Sequence, residues 1–118
     1  MDPLFQQLTD RLVEFRDVRD WRQFHSLKNL MLSLNLEATE VLELSQWRDD
    51  AQIDAAIEDP EFRARLGEEC ADVLLYLLLI CERARIDLAQ EADAKIIRNG
   101  EKYPVDKSRG NSRKYTDS

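Results

Sequence analysis

The chain has 118 residues, enough for one domain that buries its own core, and a formal net charge of −7 at neutral pH. This acidic balance argues against a nucleic-acid binder that is held by phosphate contacts. Only three Gly and three Pro are present, too few turn residues for a β-sandwich or β-barrel, whereas 43% hydrophobic and 35% charged residues suit a soluble helical protein.

Neither a secretory signal nor a membrane span is visible in the sequence. The N-terminus M-D-P-L-F-Q-Q lacks a basic and then apolar segment, and the longest unbroken apolar run covers only residues 73–81. A membrane-spanning helix needs about 20 apolar residues. The two cysteines, Cys70 and Cys81, lie on one predicted helix about 16 Å apart, too far for a disulfide. We therefore expect reduced core cysteines, a cytoplasmic location and no membrane partner.

Apolar periodicity predicts two helices in the N-terminal half. The first apolar stripe consists of Leu4, Leu8, Leu12 and Phe15. Its spacing predicts an amphipathic helix over residues 3–20. Residues 19–25, R-D-W-R-Q-F-H, break the pattern and are interpreted as a connector. Ser26 is a candidate N-cap for a second helix, which is expected to end near Trp47.

A third helix is predicted to form the centre of the molecule. Polar residues 48–58 are expected to be a loop or a short helix. Asp59-Pro60 then combines an N-cap with proline at the first helical position, which predicts a helix from residue 60 to about residue 85. Its middle, V-L-L-Y-L-L-L-I-C, is apolar all round and should therefore be the most buried element.

A fourth helix and a basic tail complete the chain. Asp87 with Gln90 resembles a capping box, which predicts a helix over residues 88–102. Residues 95–115 carry a local charge of +5, so the remainder of the chain carries −12. The sequence thus predicts an all-α subunit of four helices, with a domain over residues 1–104 and a basic C-terminal tail over residues 105–118.

Two pairs of acids stand where helices are expected to be buried. Glu37 and Glu40 are three residues apart on the second predicted helix, and Glu69 and Asp72 are three apart on the third, so each pair shares a helix face. Like charges at this spacing repel, and a buried carboxylate needs a partner. A shared cation would satisfy all four, and oxygen ligands favour Mg²⁺ or Mn²⁺. A solvated acidic face is the alternative, and the residues alone leave both interpretations open.

Other catalytic chemistry has little support in the sequence. The single histidine, His25, lies outside both acid pairs, which argues against a ferritin-like di-iron site built from Glu-x-x-His. His25 also has no obvious nucleophilic partner. Trp21 and Trp47 flank the acidic helix, where they could hold a nucleobase or simply anchor the core.

Four segments resemble those of the MazG-like, all-α nucleoside triphosphate pyrophosphohydrolases, and they are closer to the dCTP pyrophosphatase branch of that family. They are R-D-W-R-Q-F-H (19–25), E-A-T-E-V-L-E-L-S-Q-W (37–47), E-E-C-A-D-V-L-L-Y-L (68–77) and R-G-N-S-R-K-Y-T (109–116), in that order. The resemblance covers about residues 10–117 and rests on the four segments together more than on the acid pairs alone.

The resemblance implies an enzyme that hydrolyses a nucleoside triphosphate, first of all dCTP or a modified dCTP, to the monophosphate and pyrophosphate. It implies Mg²⁺ as cofactor, with Mn²⁺ as a substitute, and a homo-oligomeric helical bundle of two or four subunits. By the same resemblance, the metal-binding and catalytic residues would be Glu37, Glu40, Glu69 and Asp72. The substrate-binding residues would be Trp21, His25, Trp47 and Tyr76 around the nucleoside, and Lys95, Asn99, Arg109 and Arg113 around the phosphates.

One departure leaves the nucleobase open. Leu12 stands where the mammalian members have a histidine near the base. Alternative substrates are therefore dUTP or another non-standard nucleoside triphosphate. A non-catalytic helical module that binds nucleotides or proteins remains the alternative function.

Overall fold

A computed structural model of the chain describes residues 3–110, which form six α-helices and no strand. The helices are α1 (Pro3–Asp17), α2 (Leu27–Glu43), α3 (Asp50–Ala56), α4 (Pro60–Ala84), α5 (Leu88–Lys102) and α6 (Val105–Ser108), with a 3-10 turn at Arg22–Phe24. The all-α prediction is confirmed, but the prediction of four helices is wrong. The two additional helices are short ones, α3 in the polar segment and α6 in the tail.

The predicted helix starts are confirmed by their caps. Ser26 Oγ accepts from the backbone N–H of Asn29 at 3.1 Å, and Asp87 Oδ1 accepts from that of Gln90 at 3.2 Å. Asp59 caps α4, which has Pro60 in its first turn. The helix α3 begins with a full capping box, in which Asp49 and Gln52 bond each other's backbone N–H groups. Each cap satisfies a backbone donor that the first helical turn leaves without a partner.

Two predicted helix ends are several residues too late. The helix α1 ends at Asp17, because Asp20 adopts a left-handed φ of 54° and the N–H of Trp21 bonds the carbonyl of Arg16 at 3.1 Å. The helix α2 ends at Glu43 and continues as tighter turns until Trp47, whose φ is 66°. Apolar periodicity continues through such turns and so does not mark where the α-helical hydrogen bonds stop.

The core lies where α2 and α1 pack on α4. Its buried apolar residues are Leu30, Phe62, Leu78, Leu79 and Cys81. Four of these five belong to α4, which confirms the prediction that this helix is central. Cys81 is buried as expected and burial raises its pKa, whereas Cys70, also expected in the core, is exposed.

The chain is more extended than a compact domain of its length. The Cα radius of gyration is 17.9 Å, whereas about 13 to 14 Å is expected for 118 residues. The helix α5 has no buried residue, and its Ile96 and Ile97 are 71% and 58% exposed. Within residues 3–110, no helix is long and apolar enough to cross a membrane.

Candidate active site

The packing of α2 on α4 brings the two acid pairs together. One carboxylate oxygen from each of Glu37, Glu40, Glu69 and Asp72 lies within 4.8 Å of the others. Each pair is three residues apart on its own helix, so both members face the neighbouring helix. We call these four residues the acid cluster.

Neighbouring carboxylates raise the pKa of two members of the acid cluster, Glu37 and Glu69. Burial raises the pKa of Glu37, and a hydrogen bond and the charge of Glu40 raise it further, with smaller effects of Asp72 and Glu69. The pKa of Glu69 is raised first by a hydrogen bond with Glu40 and then by burial and by the charges of Glu40 and Asp72. Arg65 acts on Glu69 in the opposite direction. The cluster is therefore a place where negative charge accumulates, and Arg65 offsets it only in part, since the pKa of Glu69 remains raised.

Two oxygens of the acid cluster point to a cation. Oε2 of Glu37 and Oε2 of Glu69 are both buried and have no hydrogen-bond partner. A buried acceptor without a partner is costly. A hard divalent cation would satisfy both oxygens, because Mg²⁺ and Mn²⁺ prefer carboxylate ligands. The donor set and these two oxygens thus suit the cation that the sequence predicted.

A cavity of about 170 Å³ adjoins the acid cluster. It is lined by Leu12, Phe15 and Arg16 of α1, Trp21 and His25 of the connector, and Asp72, Leu75, Tyr76 and Leu79 of α4. Asp72 belongs both to the acid cluster and to this cavity. Apolar and aromatic surfaces with a few polar groups are typical of a site for a planar ring. We call it the base cavity.

The end of α1 positions Trp21 at the base cavity. The left-handed Asp20 closes α1 and turns the chain, so that Trp21 lies edge-on to Phe15 with ring centroids 5.7 Å apart. The guanidinium carbon of Arg19 lies 3.6 Å from the Phe15 ring centroid and 5.9 Å from that of Trp21. These contacts hold the indole ring in place without burying it, since Trp21 remains 43% exposed.

His25 presents an unsatisfied polar atom in the same region. Its Nδ1 is buried and has no hydrogen-bond partner among residues 3–110. Burial lowers the pKa of His25, and the positive charge of Arg16 lowers it further. The imidazole is therefore neutral at pH 7 and can exchange a hydrogen bond with a ring that enters the cavity.

Arg16 is a part of this region that sequence reasoning missed. It is only 3% exposed; its Nε bonds Asp17 at 2.8 Å and its Nη1 bonds Glu82 of α4 at 3.2 Å. An arginine beside an apolar stripe looks solvated in the sequence. The sequence offers only one signal of this burial: Arg16 lies next to the apolar stripe of its helix, and Glu82 on another predicted helix is an acid with which it can pair.

Four further predicted substrate-binding residues lie outside the base cavity. Trp47 follows α2 and is 92% exposed, and it does not line the cavity with Trp21. Lys95 and Asn99 are exposed on α5, and Arg109 is exposed after α6. None of these four residues lines the base cavity. Arg113 lies outside the described residues.

Comparison with known proteins supports one family. Residues 32–117 match the model of the MazG-like family. The chain is 40% identical to dCTP pyrophosphatase 1 of Rattus norvegicus and 39% identical to that of Homo sapiens. Each alignment covers 98% of this chain and 68% of the relative. The crystal structure of a pyrophosphatase from Archaeoglobus fulgidus superposes with a TM-score of 0.80 at 37% identity, covering 88% of this chain and 95% of that one.

Proposed function

This chain belongs to the MazG-like family, and we propose that it hydrolyses dCTP or a modified dCTP to the monophosphate and pyrophosphate. The observation that carries the proposal is the acid cluster beside the base cavity, joined through Asp72. Such a site combines a cation-binding centre with a place for a ring. These are the two needs of an enzyme that acts on a nucleoside triphosphate.

We propose Glu37, Glu40, Glu69 and Asp72 as the ligands of Mg²⁺, or of Mn²⁺ in its place. Once bound, the cation would neutralise phosphate charge and make an attacking water more acidic. The chain's own carboxylates would hold the cation, and Glu37 or Glu40 would accept the proton of that water. The unpartnered oxygen of Glu37 makes it available for one of these roles.

In this proposal the base occupies the cavity between α1, the connector and α4. Trp21 and Tyr76 pack on the ring, and neutral His25 exchanges a hydrogen bond with its edge. Leu12 supplies an apolar surface on the α1 side, so no polar group of that position selects the base. For this reason dUTP or another non-standard nucleoside triphosphate is kept as an alternative substrate.

We also propose that the enzyme is a homo-oligomer of two or four subunits and is cytoplasmic. The exposed apolar residues of α5 and the large radius of gyration support the assembly. A neighbouring subunit could supply Trp47, Lys95, Asn99 and Arg109, which do not line the base cavity of their own subunit. We propose a phosphate contact for Arg113 as well, from the resemblance alone. The cytoplasmic location follows from the intracellular occurrence of nucleoside triphosphates.

A panel of nucleoside triphosphates with Mg²⁺ and identification of the products tests the proposal. We expect turnover of a cytosine deoxynucleotide, with release of the monophosphate and pyrophosphate in equal amounts. Release of orthophosphate, or no turnover of any nucleotide in the panel, would contradict it. A non-catalytic helical module predicts no thermal stabilisation when Mg²⁺ and nucleotide are added together, whereas binding to the native state raises the Tm.

A further inference from the structure

A polar cavity of about 270 Å³ has no role in the function proposed above. It is lined by Glu43, Leu44, Gln46, Arg48, Phe62 and Arg65. Glu43 is the only carboxylate among these lining residues, so the side chains give the cavity a charge of +1. We call it the arginine cavity.

The base cavity, the acid cluster and the arginine cavity lie in a row along α2 and α4. His25, directly before α2, lines the base cavity with Tyr76 of α4. Further along α2, Glu40 lies with Glu69 in the acid cluster. Directly after α2, Leu44 lines the arginine cavity with Arg65. From the base cavity to the arginine cavity, the residue numbers rise along α2 and fall along α4. The two helices are therefore antiparallel, and the acid cluster lies between the two cavities.

Arg65 lies next to the acid cluster. It precedes Glu69 by one helical turn, which is about 6 Å along the axis. Its positive charge acts on Glu69. Within residues 3–110, ion pairs are formed by Arg16 with Asp17 and Glu82, and Arg65 forms none. The Arg65 guanidinium is therefore available to an anion held at the acid cluster.

Arg48 lines the same cavity and packs on Phe62. Its guanidinium carbon lies 5.0 Å from the ring centroid of Phe62, which is only 9% exposed, and its Nη1 donates to the carbonyl of Leu44 at 3.5 Å. Stacking on an aromatic face leaves the edge of a guanidinium, with its N–H donors, free for phosphate oxygens. Like Arg65, Arg48 forms no ion pair within the described part of the chain.

We propose that Arg48 and Arg65 bind the β- and γ-phosphates of the substrate, and therefore the pyrophosphate that leaves. This proposal rests on the proposed function and adds a phosphate subsite to it. The order of a nucleoside triphosphate is base, α-phosphate, then β- and γ-phosphates, and it matches the order of base cavity, acid cluster and arginine cavity. Arginine binds phosphate oxygens through paired N–H donors, which suits the terminal phosphates.

The subsite has a defined part in the reaction. The oxygen of water forms a bond to the α-phosphorus and gives up its proton, while the bond from the α-phosphorus to the bridging oxygen breaks. Pyrophosphate leaves with the electron pair of that bond. The two guanidinium groups neutralise the negative charge that grows on the leaving group, and so lower the barrier to its departure.

Direct binding of pyrophosphate in the presence of Mg²⁺ tests the subsite without turnover. Isothermal titration calorimetry would compare the wild type with Arg48→Met, Arg65→Met and the matched control Arg63→Met, which removes an exposed arginine of α4 that lines neither cavity. We expect each cavity variant to weaken pyrophosphate binding by about tenfold, because hydrogen bonds to charged groups are lost. The control should stay within about twofold of the wild type. Unchanged binding by both cavity variants would overturn the proposal.

Product inhibition of turnover provides a second, independent measurement of pyrophosphate binding. Inhibition by pyrophosphate should weaken in Arg48→Met and Arg65→Met, whereas inhibition by the nucleoside monophosphate should not, because the base cavity is intact. Equal weakening of both would overturn the subsite and indicate a general loss of the fold. Arg65→Lys keeps the charge and should restore part of the pyrophosphate affinity.

The two proposals fail in different ways. If the wild type turns over no nucleotide, yet binds pyrophosphate through Arg48 and Arg65, the proposed function fails and the phosphate subsite stands. If turnover yields pyrophosphate but the arginine variants behave like Arg63→Met, the function stands and the subsite is wrong.

Discussion

Neighbouring carboxylates of the acid cluster make ionisation of Glu37 and Glu69 harder. The pKa of both is raised, and each keeps a buried oxygen without a partner. An arrangement that is unfavourable for the protein alone is typical of a functional site rather than of a stabilising one. The individual residues therefore point to a cation more strongly than their spacing does.

Glu69→Gln should abolish turnover while it preserves helical content. The substitution removes a charged ligand and keeps the size of the side chain. Since loss of groups that only orient metal ligands costs 10- to 100-fold, we expect a fall in kcat/KM of more than about 100-fold. Glu68→Gln, which changes the adjacent exposed acid outside the acid cluster, is the matched control and should retain activity. Equal activity of the two variants would remove Glu69 from the metal site.

Protons should compete with the cation at the acid cluster. A raised carboxyl pKa means that the folded, metal-free protein binds more protons than the unfolded chain between the ordinary value of 4.5 and the raised one. The contribution of these acids to stability is thus present at low pH and lost as pH rises through the raised pKa. The rise in Tm on adding Mn²⁺ should therefore be larger at about pH 7.5 than at about pH 5. A Tm rise that does not depend on pH would contradict this linkage.

His25 should titrate below its ordinary value. Burial first, and then Arg16, lowers its pKa below 6.5, so its contribution to stability is present above 6.5 and is lost as pH falls through the lowered pKa. Because His25 is the only histidine, NMR of its imidazole signals follows this titration directly. Removal of the positive charge in Arg16→Met should raise the pKa of His25. A pKa at or above 6.5 in the wild type would show that the imidazole is not held neutral.

At the scale of elements, turns position the aromatic residues. Trp21 follows a left-handed Asp20 at the end of α1, and Trp47 is itself left-handed after α2. A positive φ is tolerable for Asp but costly for a bulky side chain such as Trp. Trp47 is also 92% exposed, so packing within the subunit does not explain its conformation.

Trp47→Gly and Trp47→Ala separate backbone strain from ligand contact. Glycine adopts the left-handed conformation without steric cost, so Trp47→Gly should be more stable than Trp47→Ala by about 1 kcal/mol. Urea denaturation would measure this difference. If Trp47 contacts the base in the assembly, both variants should raise KM for the nucleotide by a similar factor. An unchanged KM in both would exclude Trp47 from the substrate site.

At the scale of the whole molecule, one subunit leaves much apolar surface in water. Ile96 and Ile97 of α5, and Leu36 and Leu42 of α2, are each more than half exposed. Exposed apolar side chains of this kind support the proposed oligomer, because large apolar patches on a subunit are typical of interaction surfaces. The same helix α5 carries Lys95 and Asn99. An assembly that covers the isoleucines of α5 would therefore place these polar residues close to a neighbouring subunit.

Ile96→Glu should weaken the assembly. A charge in place of an apolar residue opposes burial in an interface, so the variant should have a lower mass than the wild type by light scattering after gel filtration. Gln90→Glu introduces the same charge on α5 at an exposed polar position and is the matched control. A wild type that is monomeric at all concentrations would contradict the proposed oligomer.

The sequence by itself determined the helices whose signals are local. Ser26, Asp59 and Asp87 marked three helix starts, and the apolar run of residues 73–81 marked the central helix. Caps and periodicity involve residues within one or two turns of each other, and for that reason they can be read from the sequence. The acid pairs were visible for the same reason, since each pair occupies one face of one helix.

Only the tertiary structure decided how these parts combine. The antiparallel packing of α2 on α4 brings the two acid pairs within 4.8 Å and places Arg65 of α4 in one cavity with Glu43 of α2. Burial of Arg16 against Glu82 and the left-handed turns at Asp20 and Trp47 have no clear local signal. These features depend on contacts between residues far apart in the chain, such as Arg16 and Glu82, and on backbone conformations that residue types alone do not dictate.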